Sequence, residues 1–390
     1  MTEHKTRVVV IGGGYAGVIA ANRLQVRPDV DIALVNPRPQ FVERIRLHQL
    51  VAGSDDAVVD YAEILGPGIE LVVDAATHID VRARRVDLFN GVPLHYDYLI
   101  YAVGSGSGGP QVPGADEFAY PIADLEEAKR LAAALDELHY CAPVCVVGAG
   151  PTGIETAAEL AEQGRAVTLV CGPVLGPYLS TPGRRSVAKR LRKLGIEILD
   201  GPGSTVTAVA ADAVMLADGR RLRSFVTIWT AGFGVPDLAS RSGLRTDAIG
   251  RLLTDETLTS ADDERIVAAG DAAAPSGEPL RMSCQAAIPL GAQAADTVLA
   301  RIAGERPAVI DQAFTGQCIS LGRAGGTIQL AHKDDTAMPL YIGGRTAAMI
   351  KEAVCKGTVA GMRREAHNPG SGAFWFKGGK RPAAEAVPSS

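Results

Sequence analysis

Short runs of β-branched and other apolar residues alternate along the chain with glycine-rich breaks and alanine-rich stretches. This pattern predicts buried strands joined by helices. The order of elements occurs twice. Residues 7–24, RVVVIGGGYAGVIAANRL, read as a strand, a glycine loop and a helix, and residues 145–160, CVVGAGPTGIETAAEL, repeat that plan. A second strand follows in each half, DIALV at 31–35 and VTLV at 167–170. Each half then offers strands about a two-residue turn, Asn90-Gly91 or Asp218-Gly219, whose composition predicts a type I′ hairpin. Each closes with an apolar strand running into glycine, YLIYAVGS at 98–105 and VTIWTAGF at 226–233. Two copies of one element order argue for two related α/β units.

A Gly/Pro/Ser-rich stretch, residues 104–114, separates the halves, and a second crossing falls near residues 234–250. Beyond it, ERIVAAGDAAA predicts a strand ending at Gly270-Asp271, and AAIPLGAQAADTVLARIAGE predicts a helix. From about Pro307 the strands CISLG and GTIQLA and the helix RTAAMIKEAVCKG predict a smaller α+β unit. The expected organisation is a discontinuous first domain, residues 1–113 and 245–306, an inserted second domain, 114–244, and a C-terminal domain, 307–390. The fold class is α/β: two Rossmann-like three-layer domains plus the small α+β one.

Composition narrows the function. At 390 residues, with 47% apolar and 21% charged residues, the chain is that of an ordinary folded protein. A net charge of −5 gives no electrostatic footprint for nucleic acid. No run of about 18 apolar residues predicts a transmembrane helix, and the uncharged stretch Val8 to Ala21 is broken by glycines, so it reads as strand, loop and helix rather than a signal peptide. Cysteines 141, 145, 171, 284, 318 and 355 form no CxxC pair and no metal-ligand spacing. No metal is expected, and the cytosol with reduced thiols is the simplest placement.

The glycine spacing carries the candidate chemistry. Gly12 and Gly148 permit the turn out of the strand, Gly14 and Gly150 let the backbone approach a pyrophosphate, and Gly17 and Gly153 let the helix pack closely. The helix starts offer free N–H groups to phosphate, from Tyr15 and Ala16 in one copy and, in the other, from Thr152 after Pro151, whose fixed φ suits the first helical position and which has no N–H of its own. A glycine turn without a ligand stays open for the second copy, because Cys171 stands where a nicotinamide-binding unit ordinarily places an acid. Cysteine neither binds a ribose 2′-hydroxyl nor repels a 2′-phosphate, and the nearest cations are Arg184 and Arg185. Weak discrimination between NADH and NADPH, or poor nucleotide binding, is the expectation. In the first copy Asn36 replaces the acid as a neutral ribose partner, with Arg38 either packing on the adenosine or exposed.

On GGGYAG, YAVGS, GAGPTGIE, WTAGF, GDAAA and GRTAAMIKE, the chain resembles the two-dinucleotide-binding-domain flavoproteins and, within them, the type II NADH dehydrogenase-like group. The resemblance implies FAD at Gly12, Gly14, Tyr15, Ala16, Gly17, Asn36, Arg44, Val73, Ala102, Gly104, Gly270 and Asp271. It implies NAD(P)H at Gly148, Gly150, Pro151, Thr152, Gly153, Cys171 and Gly232. Hydride would pass from nicotinamide to flavin, and electrons then to a small acceptor, often a quinone. Glu155 and Lys351 match the group's catalytic positions beside the flavin, against the plainer readings of a first-turn carboxylate and an exposed helix lysine. Gln285, Ala287 and Pro289 stand in its acceptor element, which Ile288-Pro289-Leu290 interrupts. The chain departs from the disulfide reductases in FVERIRLHQLVAG, which has no cysteine and so excludes a dithiol mechanism. There Glu43, Arg44, Arg46 and His48 form either a flavin-facing cluster or a solvated helix face. Two other functions stay open: a redox-responsive binding module for a protein partner, and a reductase for an iron–sulfur protein. The tail GAFWFKGGKRP sets Phe374, Trp375 and Phe376 beside Lys377, Lys380 and Arg381, as an interfacial anchor or as cover for the protein's own core or a homodimer interface. The expected location is cytoplasmic, with at most peripheral contact at the inner face of the membrane.

Overall fold

The fully buried run Val8–Ile11 lies at the centre of a five-stranded parallel sheet ordered Ile266–Ala268, Tyr98–Tyr101, Thr6–Ile11, Val30–Asn36, Ile69–Val73. The computed structural model describes residues 5–109, 111–372, 375–379 and 381. Buried on both faces, these strands need no alternation of polar residues, which is why their sequences are continuously apolar. The helices Tyr15–Leu24 and Cys284–Ile302 cross in close contact. A Cβ on Gly291 would come within 2.3 Å of the Ala16 carbonyl oxygen, so glycine is required at the crossing. A small antiparallel sheet, Ala76–Asp80, Arg85–Leu88 and Leu94–His95, shares the same core through Ile79, Val86 and Leu88.

The second parallel sheet is ordered Ala119–Pro121, Val226–Trp229, Val144–Val147, Val167–Val170, Glu197–Leu199. Its helices are Leu125–Asp136, Pro151–Glu162 and Thr181–Lys193, and an antiparallel sheet of Val206–Ala210, Ala213–Leu216 and Arg221–Arg223 packs beside it. The plan is that of the first sheet, as the doubled element order predicts. A third, antiparallel sheet of Gly316–Ser320, Gly326–Ala331 and Ala337–Gly343 carries the long helix Gly344–His367.

The two hairpins form but do not close as type I′ turns. Gly91 and Gly219 take φ of 84° and 86°, whereas Asn90 and Asp218 stay out of the left-handed region. At the second turn the Gly219 N–H donates to the Leu216 carbonyl and the Leu216 N–H to that of Arg220, so glycine alone needs a positive φ. Asp218 instead accepts the Arg220 N–H at 3.1 Å. Among the described residues no helix is long and apolar enough to cross a membrane.

Candidate active site

Both glycine turns show the same division of labour. A Cβ on Gly12 would meet the Ala102 carbonyl oxygen at 2.2 Å, and one on Gly17 would meet the Gly12 oxygen at 1.8 Å. In the second copy Gly148 would meet Thr230 Oγ1 at 2.2 Å, and Gly153 the Gly148 oxygen at 2.2 Å. The middle glycines differ: among the described residues nothing lies within 4 Å of a Cβ built on Gly14 or Gly150. The outer glycines are thus demanded by packing, and the middle ones leave open space at a helix start. Neither helix has a side-chain cap, whereas the helices starting at Leu125, Thr181 and Cys284 are capped by Asp124, Ser180 and Ser283. Free N–H groups beside open space fit a pyrophosphate in both copies.

The strand ends diverge. Gly12 N–H donates to the Val35 carbonyl and Gly148 N–H to that of Val170, so Asn36 and Cys171 hold the same position. Asn36 braces the first turn: its Oδ1 accepts from Gly13 N–H at 3.0 Å and its Nδ2 donates to the Arg38 carbonyl at 2.8 Å. Arg38 pairs with Glu126 and lies 3.8 Å from Asp124. Val73 pairs with Asn36 in the sheet and is exposed. Cys171 belongs to the hydrophobic core, and burial, with Asp200 adding, pushes its thiol up to about 12. Arg184 donates to the Gly176 and Leu179 carbonyls and so braces a loop, while Arg185 is exposed. Gly232, just past the strand, has φ of 84° and open space around it.

Residues from three separate segments meet around Asp271. Arg44 Nη1 lies 3.6 Å from its carboxylate and donates to Ser105 Oγ at 3.0 Å, and that hydroxyl donates to Asp271 at 2.7 Å. Ser105 directly follows Gly104, whose φ is 72°, and Gly270, at 68°, packs on Ala16. Sequence reasoning missed Ser105, although its place after a glycine at a strand exit was a signal. It also missed Tyr61, whose hydroxyl donates to the Gly13 carbonyl at 2.8 Å and which carries no motif.

Glu155 and Lys351, far apart in sequence, form a buried ion pair. Lys351 Nζ lies 3.0 Å from Glu155 Oε1, with side-chain exposures of 12% and 7%. The same oxygen accepts the Ser320 N–H at 2.9 Å, and Lys351 also donates to the Cys318 carbonyl at 3.3 Å. Burial opposes ionisation of Glu155, yet Lys351, His48 and the Ser320 N–H together hold its pKa below the usual carboxylate value. Burial likewise opposes the Lys351 ammonium, and Glu155 more than restores it. Tyr15, from the first glycine helix, and Cys284 lie within electrostatic reach of one another, and Cys284 within reach of Lys351. The pair therefore sits where the two glycine helices and the C-terminal unit converge.

The charged segment after the first βαβ unit is not a solvated face. It folds as the turn Arg44–Arg46 and the helix Leu47–Val51, with Glu43, Arg46 and His48 buried. Arg46 pairs with Glu43 at 3.3 Å, Asp55 at 3.4 Å and Glu352 of the C-terminal helix at 3.1 Å. Of the acceptor residues, Ala287 packs against Gly270 and Pro289 is buried inside its helix. The Gln285 amide bridges the Thr315 hydroxyl and the Gly316 carbonyl. In the tail, Trp375 Nε1 donates to the Asp311 carbonyl and Arg381 pairs with Glu256, while Phe376 and Lys377 are exposed. Phe374 and Lys380 lie outside the described residues.

Twin parallel sheets, each with an uncapped glycine helix and open space at its start, have the layout of a protein with two dinucleotide-binding units. The chain belongs to the pyridine nucleotide-disulphide oxidoreductase family, whose model matches residues 6–291. It is 33% identical over 324 residues to an NADH dehydrogenase-like protein of Mycobacterium tuberculosis, covering 75% of this chain and 80% of that one. It is 28% identical over 351 residues to a type II NADH:quinone oxidoreductase of the same species, covering 77% and 74%. The structure of the sulfide:quinone oxidoreductase of Aquifex aeolicus matches with a TM-score of 0.80 at 22% identity, over 94% of this chain and 93% of that one, a likeness of fold. The protein is a flavoprotein oxidoreductase of NADH dehydrogenase-like type, and FAD and NAD(P)H are its cofactors.

Proposed function

We propose that the chain oxidises a nicotinamide dinucleotide bound at Gly148–Gly153 and, through FAD held by the unit of residues 1–113 and 245–306, delivers electrons to a quinone. The observation that carries this reading is the buried Glu155–Lys351 pair, one partner from the second glycine helix and one from the C-terminal helix. Bound FAD would supply the two-electron chemistry, taking hydride from nicotinamide and passing electrons to the acceptor. The protein's part is placement and charge. The free N–H groups of Tyr15, Ala16 and Gly17 bind one pyrophosphate, and those of Thr152 and Gly153 the other. Asp271, steadied by Ser105 and Arg44, accepts hydrogen bonds from FAD hydroxyls. Lys351 holds a proton at Nζ against Glu155, available to an acceptor oxygen. The relatives' acceptor favours quinone, and a quinone is met at the membrane surface, so the reading has the chain touching lipid peripherally.

The test is anaerobic mixing of the flavin-loaded protein with NADH and NADPH in parallel, then with a quinone panel and a ferredoxin. Nicotinamide should bleach the flavin and quinone restore it. A flavin that neither nucleotide reduces overturns the reading, and faster reoxidation by ferredoxin than by any quinone replaces the acceptor.

A further inference from the structure

His48 is a buried titratable group beside the Glu155–Lys351 pair that this chemistry leaves unused. Its imidazole is 3% exposed, Nδ1 lies 3.8 Å from Glu155 Oε2, and Nε2 has no hydrogen-bond partner among the described residues. Glu155 thus has two candidate cations, Lys351 at one oxygen and His48 at the other. We propose that His48 is a positioning residue of the active site, a neutral imidazole that takes up the positive charge beside Glu155 whenever Lys351 gives its proton to the acceptor. This rests on the reading that Glu155 and Lys351 border the acceptor.

The proton balance follows from the reaction. A quinone becoming a quinol needs two electrons and two protons, and the nicotinamide hydride accounts for both electrons and one proton. The second comes from Lys351: its N–H bond breaks, the acceptor O–H bond forms, and a neutral amine remains. Glu155 would then be a buried carboxylate without a counter-charge, which is strongly unfavourable. A solvent proton on His48 restores neutrality and later passes back to Lys351.

The surroundings set which cation is charged. In the resting molecule burial drives the imidazole down to about 4, against Glu155 and with help from Lys351, Arg323 and Arg46. The helix Leu125–Asp136, packed on the same short helix, offers the apolar Leu125, Ala128 and Leu131 to their shared core. Loss of the Lys351 charge removes one of three repulsions and leaves the attraction of Glu155 in place.

The experiment is a nitrogen-15 NMR titration of the imidazoles in the flavin-loaded protein, with His48→Gln used to assign the signal. Wild-type His48 should stay neutral from pH 8 to pH 5, and in Lys351→Met its midpoint should rise by more than about one pH unit. An unmoved midpoint overturns the proposal. Stopped-flow supplies a second readout: His48→Gln should slow the acceptor half-reaction at least about fivefold more than flavin reduction at low pH, with the loss shrinking as pH rises and protons for the imidazole become scarce. Equal slowing of both halves, or none, also overturns it. If neither NADH nor NADPH reduces wild-type flavin, the underlying reading falls and the proposal with it, whereas a reducible flavin with an unmoved His48 midpoint overturns the proposal alone.

Discussion

Lys351→Met should leave Glu155 buried with one hydrogen bond from the Ser320 N–H and no counter-charge. At the observed 3.0 Å and an effective dielectric near 20, the lost attraction is on the order of 5 kcal/mol. Breaking one side of a buried pair costs roughly 3–5 kcal/mol, a range that includes relaxation. The cost depends on pH. In the wild type Glu155 is held below its ordinary value near about 4.3, so its stabilisation is present above that pH and is lost as pH falls through the lowered folded value. In the variant a proton must enter the site on acidification, on Glu155 or on His48, that the wild-type folded state does not take up. The gap to wild type therefore shrinks on acidification, by up to about 1.4 kcal/mol per pH unit for one proton. The assay is urea unfolding of the flavin-loaded protein, followed by far-UV circular dichroism at pH 8 and pH 5.5, with the Glu155→Gln/Lys351→Met double variant alongside. The double variant removes both charges and should recover most of the loss. A gap below about 1 kcal/mol at pH 8, a gap that does not move with pH, or a double variant no better than the single would refute the reasoning.

Two further outcomes separate binding from folding. Gly14→Ala should leave the melting temperature of the flavin-free chain within about 2 °C of wild type while the flavin retained on purification falls, since the added carbon meets no protein atom; Gly17→Ala, whose carbon would lie 1.8 Å from the Gly12 oxygen, should lower that temperature by several degrees, and similar melting of both variants would contradict the packing account. Cys171 should resist iodoacetamide at pH 8 while the exposed Cys141 is alkylated, as peptide mapping would show, and Cys171→Glu should lower the melting temperature rather than sharpen a preference for NADH.

What the chain revealed before its structure follows the range of the interactions. The glycine turns were legible because their pattern is local: strand, turn and helix start lie within about twelve residues, and Gly17 and Gly153 are demanded by the Gly12 and Gly148 oxygens inside the same turn, although Gly12 and Gly148 are themselves held by the remote Ala102 and Thr230. Cys171 was legible as a strand end and not as a core side chain, because the direction it points depends on the sheet packed around it. The run Glu43 to His48 stayed open between a flavin-facing cluster and a solvated face for the same reason. Its charges resemble a solvated face, and the partners that bury them are remote: Glu352 lies 306 positions from Arg46, and Glu155 bridges 165 positions to Ser320. The position of this segment suggests why it carries charge. The disulfide reductases place a thiol pair after the first βαβ unit, and here the same stretch supplies Arg46 to the C-terminal helix and His48 to the far side of Glu155. Without thiolates, the segment cannot relay electrons. What it can do is set the charge of the carboxylate that holds Lys351, so any coupling between this segment and electron transfer must run through protons.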